Sequence, residues 1–151
     1  MILDKYLEFC DATAFAGGTG RQLMGDVIDL GAANHNLGDH GSPMQLVIQI
    51  ATAVTSGGAA TVSFELVSDA QAAIAVDGSA SVHFASAAIG KATLVAGYEV
   101  ALTLPLAGGT PFERYLGIVA NVGTAALTAG AMNAFLTPQA NTWQAYPDGQ
   151  N

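Results

Sequence analysis

The feature that most constrains this chain is a side-chain alternation of period two, cut at intervals by glycine and proline. Between Gln45 and Thr55, the side chains of Leu46, Ile48, Ile50, Thr52 and Val54 fall on one face, with Gln45, Gln49, Ala51 and Ala53 opposite. Residues 61–68 repeat the pattern with Val62, Phe64 and Leu66. Residues 99–104 do so with Val100, Leu102 and Leu104, and residues 114–122 with Leu116, Ile118, Ala120 and Val122. A fifth run, 131–137, carries Met132, Ala134 and Leu136. A strand sends successive side chains to opposite faces, so each run reads as a half-buried strand. The breaks at Gly57-Gly58, Gly97, Pro105 and Gly108-Gly109 are turn signals.

Weaker strands are expected at residues 27–30, 81–84 and 92–95, and a helical turn at 69–75. About eight short strands with turns between them favour an all-β antiparallel sandwich or barrel. The 29 alanines and 18 glycines imply thin layers and close backbone approach. The chain divides into an N-terminal arm (1–26), a β domain (27–137) and a polar C-terminal tail (138–151) that carries Trp143 and Tyr146.

Charge narrows the function. Four Lys and Arg stand against twelve Asp and Glu, a net charge of -8. Nucleic-acid binding needs clustered cations to neutralise phosphates, and Lys5, Arg21, Lys91 and Arg114 are dispersed. An anionic membrane surface would repel the chain. No apolar run reaches the roughly 18 to 20 residues of a spanning helix. The first residues also lack the basic and long apolar regions of a secretory signal. Charged residues make up only 11% of the chain, where about 25% is usual. A neutral polar exterior costs little to desolvate, so much of this surface is expected to be covered by partners.

Catalytic signatures are missing. There is no Gly-x-Ser-x-Gly elbow, dinucleotide loop or Walker loop. The single cysteine, Cys10, excludes an intrachain disulfide and a CxxC motif, and reads as a small apolar residue. His83 reads as a satisfied structural histidine, and Asp26 and Asp29 as solvated or turn-bonded. Glu113 and Arg114, as strand neighbours, point to opposite faces and share no catalytic role. Only His35, Asp39 and His40, in the loop 31–42, have the donor types of a metal site. Loop polarity explains them equally well, and no enzyme, metal or cofactor is expected.

Three stretches stand out in order along the chain. The first is Met1-Ile2-Leu3-Asp4-Lys5, followed by Phe9 and Asp11-Ala12; the second is Val27-Ile28-Asp29-Leu30-Gly31. The third begins at Leu94-Val95-Ala96-Gly97-Tyr98 and continues through Glu113-Arg114-Tyr115-Leu116, Val122-Gly123-Thr124 and Thr128-Ala129-Gly130. Together they resemble the jelly-roll capsid cement (decoration) proteins of tailed bacteriophages, while residues 34–89 depart from the resemblance. It implies a two-sheet jelly roll made in the bacterial host cytoplasm. Many copies would bind the outer capsid surface of the virion and bridge major capsid protein subunits of HK97-type fold. Self-association as a homodimer or homotrimer is expected with it.

The expected capsid contacts are Ile2, Leu3, Tyr6 and Phe9 from the arm and Trp143 and Tyr146 from the tail, since aromatics on polar arms anchor well in a partner's pocket. The alternative is a jelly-roll binding module, lectin-like or a receptor-binding domain of a phage tail, with Trp143 or Tyr115 as its aromatic platform.

Overall fold

In the computed structural model, which describes residues 5–31, 44–104 and 110–138, the alternating runs form antiparallel strands. A single 3-10 turn, Lys5–Leu7, leads into β1 (Glu8–Ala14) and β2 (Gly20–Leu23). The chain continues through β3 (Ile28–Asp29), β4 (Gln45–Thr55), β5 (Thr61–Asp69), β6 (Ser81–Ala85) and β7 (Ile89–Gly90). It ends with β8 (Glu99–Thr103), β9 (Tyr115–Gly123) and β10 (Ala129–Thr137).

These strands make two sheets. One has the order β1-β10-β4-β8; the other is β2-β9-β5-β6, with β3 also on β9 and β7 also on β5. The pairs β2/β3 and β6/β7 each occupy one strand position broken in two. In chain order the eight positions then run 1-8-3-6 in the first sheet and 2-7-4-5 in the second. The chain crosses repeatedly from sheet to sheet in two Greek keys, which is the jelly-roll topology.

The expected alternation explains the core. Leu46, Ile48 and Ile50 of β4 meet Val62, Phe64 and Leu66 of β5 and Leu116, Ile118 and Val122 of β9, all nearly solvent-free. Phe15 and Phe64 pack with ring centroids 6.5 Å apart. Each such large side chain contributes about 1.5–3 kcal/mol on burial, and the many small alanines leave these to carry most of the stabilisation.

Four expectations need correction. Residues 8–23 were expected in an arm, yet β1 and β2 join the sheets, pairing with β10 and β9. Residues 92–95 form a turn, closed by Thr93 N–H to Gly90 O and Leu94 N–H to Lys91 O, because Leu94 drops fully buried into the core. Residues 69–75 are bends held by the Asp69 carboxylate, which accepts from Gln71 N–H at 3.0 Å and Ala75 N–H at 3.2 Å. These side-chain bonds compete with helical ones. Finally, Thr52 is exposed where its row-mates are buried, because the β10–β4 register shifts on either side of Ala131. A bulge of this kind re-aims the side chains beside it.

The outward face of β9 also differs from a simple in/out reading. Gly117 and Val119 are buried, because Ile74 and Ala80 fold back over the sheet and make a second small core with Val67 and Val119. A Cβ on Gly117 would stand 2.6 Å from Ile74 Cδ1, so glycine is what lets this strap lie close.

Candidate functional site

Three of the four cations are engaged by this chain's own groups. Arg114 holds Asp29 through two bonds, Nε to Oδ1 and Nη2 to Oδ2, each 2.9 Å. The guanidinium hydrogen bonds hold Asp29 down to about 2, helped by Gly31 N–H. Asp29 thus favours the fold above the ordinary carboxylate range, and that contribution disappears as pH falls toward 2. Arg21 Nη2 lies 2.6 Å from Glu65 Oε2 across the outer face of the second sheet. Lys91 Nζ donates to Ser56 O at 2.5 Å.

A polar cluster joins β5, β6 and the segment entering β9. Fully buried Ser68 Oγ accepts from Glu113 N–H at 3.0 Å and lies 2.7 Å from His83 Nε2. Ser81 Oγ donates to Glu113 Oε1 at 2.7 Å, and the His83 ring packs on Phe112 with centroids 4.4 Å apart. Burial pushes the His83 pKa below its usual value, and the Glu113 charge opposes this only in part. A neutral imidazole can accept the Ser68 hydroxyl proton.

The constellation contains a serine, a histidine and a carboxylate. Its Ser68 oxygen has no solvent path, however, and the Glu113 carboxylate is bonded to Ser81. The arrangement ties three elements together and presents no nucleophile to a substrate. Beside it lies an open pocket of about 560 Å³, lined by Ser81, Thr110, Phe112, Glu113 and Arg114 among others. Among the described residues, no three His, Cys, Asp or Glu side chains converge as metal ligands.

The outer face of the first sheet has a different character. Strand register places three cross-strand rows there: Thr103–Gln45–Thr137, Ala101–Val47–Phe135 and Glu99–Gln49–Asn133. The middle row continues to Glu8 of β1, opposite Phe135, so charge enters these rows only at the two edges, as Glu8 and Glu99. Asn133 ties the face together, accepting from Ala12 N–H at 2.6 Å and donating to Gln49 Oε1 at 3.4 Å.

The sequence-expected contact residues separate. Tyr6 is 87% exposed. Phe9 is 1% exposed and sits in the core, so it is withdrawn as a contact; β1 turns its side chain between the sheets. Ile2, Leu3, Trp143, Tyr146, His35, Asp39 and His40 lie outside the described residues. Tyr115 is half-buried, with the Arg114 guanidinium carbon 5.0 Å from its ring centroid, so that ring face is already covered. Glu113 and Arg114 precede β9 instead of lying in a strand, and their side chains part toward Ser81 and Asp29. Cys10 is buried, which pushes its thiol up to about 11. The neutral rows and the Ser68 cluster were not singled out from the sequence. The polar positions Gln45 and Gln49 of the β4 alternation were the available signal for the rows.

No curated protein matches the chain. The model of the Bbp16 family matches residues 11–136, nearly all of the β sandwich, and the chain belongs to this phage-related family.

Proposed function

We propose that this protein is a capsid cement protein that binds the outer surface of an icosahedral phage head and stabilises it by bridging major capsid protein subunits. The observation that carries the reading is the outer face of the first sheet, on a jelly roll of a phage-related family: its cross-strand rows are neutral except for Glu8 and Glu99 at the two edges. Glutamine, asparagine, threonine and alanine side chains are desolvated at far lower cost than charges, so such a face suits broad contact with a shell. The acidic chain, with three of its four cations engaged by groups of its own fold, suits the side of a shell away from DNA, because polyanionic DNA would repel it. Each copy bridging several subunits turns weak contacts into firm attachment. The protein's part in this reading is mechanical, with no bond made or broken.

The test is co-sedimentation of purified protein with emptied, expanded heads, together with the heat resistance of the decorated heads. Saturable binding and a higher disruption temperature are expected. Gln45→Lys, which puts a charge into the neutral row Thr103–Gln45–Thr137, should lower retention. Failure to sediment with heads at every salt concentration would refute the proposal.

A further inference from the structure

Sheet edges are the most reactive part of a β protein, because their free N–H and C=O groups can template another strand. Three of the four edges here are blunted. The β1 edge carries two register irregularities, at Glu8/Cys10 and Cys10/Thr13. The β2/β3 edge is split by the chain between Leu23 and Ile28. The β6/β7 edge is split as well and has a shift at Leu66/Val67.

The β8 edge has none of these guards. Its register with β4 is unbroken from Gln45↔Thr103 to Gln49↔Glu99, and the strand contains no proline, lysine or glycine. Among the described residues β8 pairs with β4 alone.

Parity fixes which groups face outward. Ile50 N–H donates to Tyr98 O at one end and Leu104 N–H to Met44 O at the other, both toward β4. Backbone groups alternate sides along a strand, so Val100 and Leu102 also face β4. Glu99, Ala101 and Thr103 then turn their N–H and C=O to the open edge.

We propose that β8 pairs antiparallel with β8 of a second copy about a twofold axis at Ala101, joining two first sheets into one continuous sheet. In this register Ala101 opposes its own copy, and Glu99 opposes Thr103 of the partner subunit. All three outward residues exchange bonds, about six in total. Centring on Glu99 would set two carboxylates face to face, which is unfavourable. Two alanines at the axis let the backbones approach freely. Val100 and Leu102 continue the apolar inner face, and the neutral outer rows become one surface twice as wide. The inference gives a place in the fold to the self-association expected with the resemblance and is independent of head binding.

Sedimentation velocity and non-reducing electrophoresis test it. The wild-type chain should sediment as a dimer. Ala101→Lys and Ala101→Glu, at an exposed site whose backbone groups β4 does not use, should each weaken association about tenfold or more by opposing like charges at the axis. Mixing the two variants should restore the dimer, a result that misfolded variants cannot give. Ala101→Cys should form a cross-linked dimer under mild oxidation, since Cys10 is buried and does not compete. A monomeric wild-type chain, an undiminished Ala101→Lys oligomer, or variants that fail to rescue each other would overturn the pairing. Loss of head binding with the dimer intact would instead sink the cement reading and leave this one standing.

Discussion

Replacing Ser68 with alanine tests the polar junction between β5, β6 and β9. The serine oxygen is fully buried, accepts from Glu113 N–H at 3.0 Å and lies 2.7 Å from His83 Nε2. Alanine fits the space but leaves the Glu113 amide without that acceptor. A buried donor stripped of its partner costs about 1–3 kcal/mol. The His83 side loses less, because that ring is only partly buried and water can take the place of the hydroxyl. The expected destabilisation is therefore about 2 kcal/mol, nearly all of it from the amide. For a chain of this size it lowers Tm by roughly 4–8 °C. Circular dichroism during heating and in urea, at pH 7.5, measures both quantities. A loss below about 0.5 kcal/mol would mean that the amide finds another acceptor and the junction is not a lock. The same site sets a pH dependence. The folded His83 pKa lies below its unfolded value, so between the two the unfolded chain binds more protons. Stability from this group is complete above about pH 6.5 and declines as pH falls from there toward the folded value. The difference between wild type and His83→Gln should shrink over that interval, and a difference that grows on acidification would contradict the assigned sign.

One further substitution and one labelling experiment probe other parts of the sandwich. Gly25 has φ +68°, and an added Cβ would lie 2.6 Å from the Cys10 Cβ and press on the Phe9 carbonyl. Gly25→Ala is thus expected to cost about 3 kcal/mol or more, read by urea unfolding, and a cost below about 1 kcal/mol would show that the turn relaxes easily. The Cys10 thiol, raised to about 11 by burial, should resist a thiol reagent at pH 8 in the folded protein and react at once in denaturant.

The sequence made the sheets legible where one face of a strand is dry and the other wet. For β5, β8, β9 and β10 the alternation found both the strand and its inward residues, and for β4 all of them but Thr52, because burial on one face leaves a period of two. It did not reveal the second cover, in which Ile74 and Ala80 bury Val67 and Val119 from outside and Ile74 lies close over Gly117. It also faltered at β1 and β2. There the flanking glycines and polar residues resemble a loose arm, and pairing with β10 more than a hundred residues away leaves no local trace. Phe9 misled for the same reason, since an aromatic in an apparent arm becomes a core residue once the arm is a strand. The neutral outer rows were out of reach, because they exist only through the register of three strands. Glu99, Gln49 and Asn133 are neighbours in space and far apart in sequence.

The low charge content and the net charge of -8 have a common structural meaning once partners are assigned. If the cations were spread over the surface, they would offset the carboxylates and leave a mosaic of small opposed charges. Instead Arg21, Lys91 and Arg114 are bound to groups of their own fold, each bracing strands or the segments between them. Each is thereby matched by a carboxylate or carbonyl of the same fold, and the unmatched charge of the chain is acidic. Like charges of this sign repel between copies. The first sheet's outer face, whose rows are charged only at Glu8 and Glu99 on the two edges, costs less to dehydrate than a mixed-charge face of the same breadth. In the proposed reading the shell is met through these rows, with the carboxylates of neighbouring copies kept apart. Orientation is therefore selected by where charge is absent, and strand register decides where that is.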